Sequence, residues 1–285
     1  MCIRDSGKAI GFTQVEELGT IETPIALTNT LNVFLVGDAI VEYMISKNPK
    51  IRSVNPIVGE TNDGGLNDIQ GRHVKMKHVL EAIKNAKSGP VKEGSVGAGT
   101  GTRALGFKGG IGTSSRVLPK KLGGYSIGVL VQSNFGNSLV VNGAPVGREL
   151  SKSSFSSSIP YDDDEGSCMI VIATDAPLSN RNLKRIAKRA IIGIGKVGGY
   201  ASNGSGDYVI AFSTYKDTSS DKITSDRTSV RNNAMTSLFQ ATVEATEEAI
   251  INSIFMAETV SSTLGKSEEL PIKETIKILK KYNSL

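Results

Sequence analysis

Apolar positions along this chain follow two periods. Over 36–47 (VGDAIVEYMISK), Val36, Ile40, Val41, Met44 and Ile45 fall on one side of a helix. A second helix is expected over 73–87, stopped by Ser88-Gly89-Pro90. The period then changes. Residues 125–134 (YSIGVLVQSN) read as a buried strand, and 139–141 as a short strand running into a turn at Asn142-Gly143. The near-continuous apolar run 169–174 (MIVIAT) predicts another buried strand, ended by Pro177 and followed by a helix from about Leu178. Residues 207–213 (DYVIAFS) predict a strand, 230–262 a long helical stretch and 271–282 a final amphipathic helix. Mixed helices and strands, with long helices near the C-terminal end, imply an α/β arrangement of helices layered on sheet. Periodicity alone leaves one sheet or two open.

Two stretches fit neither period. Residues 94–115 are rich in glycine and threonine and cannot form a regular helix. Residues 151–165 (SKSSFSSSIPYDDDE) are serine-rich and then acidic, the composition of an exposed loop.

Composition narrows the class. A chain of 285 residues, 39% hydrophobic and 21% charged, can bury a sizeable core without disulfides. The net charge of +5 is concentrated at Arg181, Lys184, Arg185, Lys188 and Arg189. Leu183, Ile186, Ala187, Ala190 and Ile191 run through that segment at helical spacing, so it reads as an amphipathic helix with a solvated basic face. No interleaved aromatics or zinc spacing mark it as a nucleic-acid site. No apolar run is long enough to span a bilayer, and Met1 to Gly7 lacks the apolar core of a secretory signal. Cys2 and Cys168 form no disulfide framework. A cytoplasmic protein with no nucleic-acid or membrane partner is expected.

The chemistry concentrates at Glu165-Gly166-Ser167-Cys168, where the acidic loop meets the apolar strand. A serine at the edge of a rigid sheet is held accurately, and the glycine before it tolerates unusual backbone geometry. These conditions suit attack by Ser167 Oγ on the Gly166 carbonyl. Cleavage there would leave Ser167 with both its hydroxyl and a free α-amine. An α-amine has a reference pKa of about 7.7–8.0, so it can act as the general base that a weak hydroxyl nucleophile needs. The two histidines, His73 and His78, lie five apart and suit neither a metal pair on one helix face nor a serine motif such as G-x-S-x-G. By composition alone, Gly166-Ser167 reads as an ordinary loop-to-strand turn.

Other constellations are weaker. Gly97, Gly99, Gly101 and Ala104 loosely match G-x-G-x-x-A, but a poor strand precedes them and a glycine-broken segment follows. Asp162, Asp163, Asp164 and Glu165 lack calcium-loop spacing, so no metal is expected there.

Seven stretches together carry a resemblance: PIALTNT (24–30), NDGGLNDIQG (62–71), SVGAGTGT (95–102), GVLVQSNFG (128–136), GSCMIVIATDAPL (166–178), NGSGDYVIAFST (203–214) and ATEEAIINSIFMAET (245–259). In this order they resemble the DmpA-like family of L-aminopeptidase/D-esterases and β-peptidyl aminopeptidases. The resemblance implies a four-layer α-β-β-α sandwich, as in ornithine acetyltransferases. It implies a single catalytic domain that cuts itself into an α chain, 1–166, and a β chain, 167–285. It also implies homo-oligomers, no cofactor, and short peptide, amide or ester substrates with a free amino group. By the same resemblance Ser167 is the nucleophile and Asn134 an oxyanion donor. Ser205 and Asp207 match a Ser-Gly-Glu-like motif that supports proton movement, with Asp207 one methylene shorter than glutamate. The family's tyrosine, a second oxyanion donor, has no counterpart here, and Asn62 is the nearest residue. Phe34 and Leu35 stand where small residues are expected. Members usually carry a further upstream segment, and Met1 to Ser6 match nothing in them, so an N-terminally truncated chain is expected. An acyltransferase of the ornithine acetyltransferase type and an inactive binding relative are the alternatives.

Overall fold

The computed structural model describes residues 7–152, 166–202, 204–216 and 229–285. Helix α1 (Phe12–Leu18) precedes β1 (Ile25–Asn29), α2 (Val33–Lys47), β2 (Ile57–Thr61) and α3 (Met76–Asn85). A hairpin of β3 (Arg103–Ala104) and β4 (Phe107–Lys108) leads into β5 (Ile111–Val117) and β6 (Ser126–Asn134). After the short α4 (Val146–Glu149) come β7 (Ser167–Thr174), α5 (Asn180–Ala187), α6 (Ala190–Lys196) and β8 (Tyr208–Ser213). The chain closes with α7 (Thr236–Phe255), β9 (Val260–Ser262), β10 (Gly265–Ser267) and α8 (Ile272–Lys281).

Two sheets are stacked. One has the order β5-β6-β7-β8, with β7 and β8 parallel and the other neighbours antiparallel. The other is the parallel pair β1-β2. Between them Ile57 of β2 packs with Met169, Tyr208 and Ile210. The approach is tight: a Cβ at Gly59 would lie 2.5 Å from Met169 Cγ and Sδ. Outside β1-β2, Val33, Val36 and Ile40 of α2 and Val79 of α3 enclose Val58. Outside the larger sheet, α5, α6 and α7 cover Cys168, Ile170 and Ile172 of β7. Strand β7 is thus apolar on both faces because both are covered. The four layers are those expected of an α-β-β-α sandwich.

Helix α7 sits close against β5 and β6 because its buried stripe is small. Ala241, Ala245, Ala249 and Ser253 recur every fourth residue, and the Ser253 hydroxyl meets that of Ser133 at 2.6 Å. A Cβ at Gly112 of β5 would lie 1.9 Å from the Ala249 carbonyl oxygen.

Two expectations change. Residues 139–141 form no strand: Val140 donates to the Val197 carbonyl, the Leu139 carbonyl accepts from Gly147, and only the Val141–Ala144 bridge remains. These backbone groups are satisfied by loops rather than by a ladder. The helix expected over 230–262 is α7 alone, since 260–267 turns back as the β9-β10 hairpin. The glycine-rich region contains strand β5, whose apolar signal is confined to its first residues and its last. The basic segment divides into α5 and α6, with Ile186, Ala187, Ala190 and Ile194 in the core as amphipathicity requires. Most of the loop 151–165 lies outside the described residues.

Gly112→Ala should destabilise the protein by about 1–3 kcal/mol, the usual cost of overpacking, because a backbone carbonyl stands where the methyl would go. Thermal unfolding checks this, and an unchanged Tm would mean that α7 can move away at no cost.

Candidate active site

Ser167 is the first residue of β7, and its partner across the antiparallel ladder is Asn134, the last residue of β6. Directly opposed residues present side chains on the same face of a sheet. Gln132 and Met169 form the next pair on that face, and Met169 packs toward β2, so Ser167 and Asn134 face the β1-β2 layer. Cys168 alternates to the helical side. Burial and the nearby Asp207 push its thiol well above its ordinary range, which argues against it as nucleophile.

The backbone at this corner is crowded. A Cβ at Gly166 would lie 2.6 Å from Phe135 Cα and 2.9 Å from the Asn134 carbonyl oxygen. The Gly206 N–H donates to the Gly166 carbonyl oxygen at 3.0 Å and to Ser167 Oγ at 3.3 Å. One N–H therefore touches both the peptide preceding Ser167 and the serine's own oxygen. The central glycine of Ser205-Gly206-Asp207 was not singled out by the sequence reading.

Its flanking residues fix it in place. The Asp207 carboxylate accepts from the Cys168 N–H at 2.9 Å through Oδ1 and from the Ser205 hydroxyl at 2.9 Å through Oδ2. Both Ser205 and Asp207 are buried. Asp207 reaches Cys168 despite its short side chain because it immediately precedes β8, the parallel neighbour of β7.

Asn134 is held at both ends of its amide. Its Oδ1 accepts from the Arg103 N–H at 3.0 Å, and its Nδ2 donates to the Asn62 carbonyl at 2.8 Å. A backbone donor on one atom and a backbone acceptor on the other fix which way the amide lies. Asn62 itself is exposed, and its Oδ1 accepts from the Gly64 N–H at 2.9 Å, so its side chain caps a turn.

Sequence reasoning missed three buried charges. Glu60 accepts from the Lys8 N–H at 2.8 Å and from the Thr30 hydroxyl. A Cβ at Gly7 would lie 2.9 Å from Glu60 Oε1, and one at Gly206 would lie 2.9 Å from Gly7 Cα and 3.2 Å from Ser167 Oγ. Gly7 therefore lies against both the Glu60 carboxylate and the Gly206 backbone beside Ser167. Asp63 accepts from Asn29 and Asn67; burial raises its carboxyl above the ordinary value, and those bonds oppose the rise. Burial, with Arg103 nearby, lowers the Lys108 ammonium to about 8. The available signal was indirect: charged residues inside otherwise apolar or glycine-rich runs, GET at 59–61 and FKGG at 107–110.

The rival constellations do not assemble. His73 and His78 are exposed, the first facing Asp68 and the second accepting from the Lys75 N–H. Gly97–Gly99 is a single 3-10 turn leading to the β3-β4 hairpin, without the strand and helix a dinucleotide loop needs. No His, Cys, Asp and Glu grouping among the described residues could hold a metal. The acidic run 162–165 lies outside them. No helix among the described residues is long and apolar enough to cross a membrane.

Comparison with known proteins now decides the family. The profile of peptidase family S58 matches residues 2–268. The chain belongs to peptidase family S58. It is 42% identical over 296 aligned positions to beta-peptidyl aminopeptidase BapA of Sphingosinicella microcystinivorans, covering 98% of this chain and 74% of that protein. Its fold matches the PH0078 protein of Pyrococcus horikoshii at a TM-score of 0.90 and 44% identity, over 100% of this chain and 80% of that one. It matches the L-aminopeptidase D-Ala-esterase/amidase of Ochrobactrum anthropi at a TM-score of 0.88 and 33% identity, again over 100% and 80%. That enzyme is described as a variant of the Ntn hydrolase fold. The family and the fold expected from the seven stretches are thereby established, and the chain is a hydrolase.

The clamp on Asn134 has a direct test. Asn134→Asp would set a carboxylate oxygen against the Asn62 carbonyl, two acceptors facing each other. The variant should lose about 1–3 kcal/mol at neutral pH, the cost of unsatisfied buried acceptors. The deficit should shrink as pH falls through the new carboxyl's pKa, because its proton can then be donated to Asn62. Tm measured against pH checks both statements.

Proposed function

We propose that this S58 hydrolase cuts itself between Gly166 and Ser167 and then works as an N-terminal-serine aminopeptidase. Its substrates are short peptides, amides or esters with a free amino group. The observation that carries the reading is the Gly206 N–H, which meets the Gly166 carbonyl and Ser167 Oγ together.

In maturation, Ser167 Oγ attacks the Gly166 carbonyl carbon. The Gly206 N–H already polarises that carbonyl and strengthens its bond as the oxygen becomes an oxyanion; one such donor typically contributes about 3–4 kcal/mol to the barrier. The C–N bond breaks, the Ser167 nitrogen takes the proton that Oγ gives up, and an ester links Gly166 to Oγ. Water hydrolyses the ester, leaving a carboxylate on Gly166 and a free hydroxyl and amine on Ser167.

In turnover, the new α-amine removes the proton from Ser167 Oγ as it attacks the substrate carbonyl. The Gly206 N–H and the Asn134 amide receive the oxyanion. Asp207 holds Ser205 beside the nucleophile's strand, where the Ser205 hydroxyl passes protons between amine and leaving group. The buried Glu60 carboxylate, across Gly7 from the site, offers a counter-charge for the substrate ammonium. The acyl-serine is then hydrolysed. The relatives from Sphingosinicella and Ochrobactrum are aminopeptidases, which favours hydrolysis over the acyltransferase alternative. Assembly into homo-oligomers and a cytoplasmic setting belong to the same proposal, supported by the family resemblance and by the buried thiol of Cys168.

Intact mass and N-terminal sequencing of the purified chain test maturation. Two fragments are expected, the second beginning Ser-Cys-Met-Ile, while Ser167→Ala should remain one chain with no turnover. A folded wild-type chain that stays whole would refute the mechanism.

Asp207→Asn should mature slowly and lower kcat by about 100-fold or more, the scale of positioned acid–base catalysis, because an amide cannot accept at both ends. Steady-state kinetics on an amino-acid p-nitroanilide would show this. Wild-type kcat would reduce Asp207 to a structural residue.

A further inference from the structure

Lys108 is fully buried, and nothing in the proposed chemistry uses it. A buried ammonium is costly unless all its protons find acceptors, so its partners indicate what it does. Nζ donates to the Gly99 carbonyl at 2.7 Å and to the Gly109 carbonyl at 2.6 Å. These two carbonyls bracket the segment 99–109. Within it the Thr102 hydroxyl also donates to Gly99, and the Gly109 N–H donates back to the Thr102 carbonyl at 3.1 Å. Lys108 pairs with Arg103 across the β3-β4 hairpin. On its far side the segment presses on Asp63, where a Cβ at Gly101 would lie 2.8 Å from the carboxylate.

The product of this clamp is one correctly placed backbone group. Arg103 follows Thr102, and its N–H is the donor that fixes Asn134 Oδ1. Ala104, Leu105 and Phe107 anchor the hairpin itself in the main core, but the stretch 97–102 that leads into Arg103 adds no side chain to that core. Glycines at 97, 99 and 101 leave this stretch few side chains, so its shape depends on hydrogen bonds to its carbonyls.

We propose that Lys108 is a positioning residue for the oxyanion site, acting through the Gly99 and Gly109 carbonyls and the Arg103 N–H to aim the Asn134 amide. The proposal rests on the reading of Asn134 as an oxyanion donor. An apolar side chain of the same length would fill the space and abandon both carbonyls. The Arg103 N–H would then lose its fixed place, and the Asn134 amide could rotate away from the site. Substrate binding on the β1-β2 side would be spared.

The test is a double-mutant cycle on the mature enzyme with an amino-acid p-nitroanilide. It uses Lys108→Met, Asn134→Ala and the double variant, with folding followed by circular dichroism. Lys108→Met is expected to lower kcat at least tenfold with KM within about twofold of wild type. The double variant should be no slower than Asn134→Ala, because Lys108 has nothing left to aim. Lys108→Gln, which keeps an amide donor, should recover part of the loss. Additive losses in the cycle, or a loss confined to KM, would overturn the inference. So would wild-type kcat in Lys108→Met beside a slow Asn134→Ala. Failure of both Lys108 variants to fold while Asn134→Ala folds would make Lys108 a structural residue and overturn it too. Full activity in Asn134→Ala would instead defeat the oxyanion reading, and this inference with it.

Discussion

The site depends on how two parallel strands begin. The ladder between β7 and β8 starts at Met169 and Tyr208, which leaves the Cys168 N–H just outside it in a buried place. An orphaned N–H there would cost about 1–3 kcal/mol. The Asp207 carboxylate takes that N–H and spends its second oxygen on Ser205. A structural requirement of the sheet and the assembly of the site are thus met by one side chain. With Asp207 fixed, Gly206 can place its N–H in only one region, and that region contains Gly166 and Ser167.

Close approach is the second constraint, and glycine meets it. Gly166 passes the end of β6 at a distance no side chain allows, and Gly206 lies between Gly7 and Ser167. Both glycines act by lacking a Cβ where backbones converge. The wider glycine content does a different job around 97–112, where the chain folds back beside Asn134 and relies on buried side chains to hold it.

Much of this was legible in the sequence, for identifiable reasons. Strands β6 and β7 announced themselves because both faces of β7 are covered and its apolar run is unbroken. Family and fold followed from seven ordered stretches, which no single motif could have established. Ser167, Asn134, Ser205 and Asp207 lie at one corner, and the roles expected for them belong to the mechanism proposed above. What was not legible depended on contacts distant in sequence. For Lys108 the local signal is only its place in the glycine-rich run FKGG; its carbonyl partners come from a loop whose shape the sequence does not specify. Glu60 was hidden in the same way, inside β2, a strand that the apolar pattern did not predict. The helix expected over 230–262 was too long because 260–267 pairs as a hairpin, and the false strand at 139–141 has a different cause. Apolar character reported burial correctly at Leu139 and Val141, but their backbone partners were set by loops.

The distribution of buried charge argues for function independently of the family. Glu60, Asp63, Lys108 and Asp207 are all nearly inaccessible. The hydrogen bonds described for them above run to backbone groups and to neutral side chains. A domain seeking stability alone would do as well with apolar residues in such places, since buried charges rarely repay their desolvation. Here the four lie about the ends of β1, β2, β7 and β8 and the hairpin beside them. Strand ends are where backbone N–H and carbonyl groups fall outside the ladders, so charges can be held there without water. The same unladdered N–H groups, on Gly206 and Arg103, are the ones that meet Ser167 and Asn134. Chemistry and buried charge share this corner because both require backbone that the sheets leave unpaired.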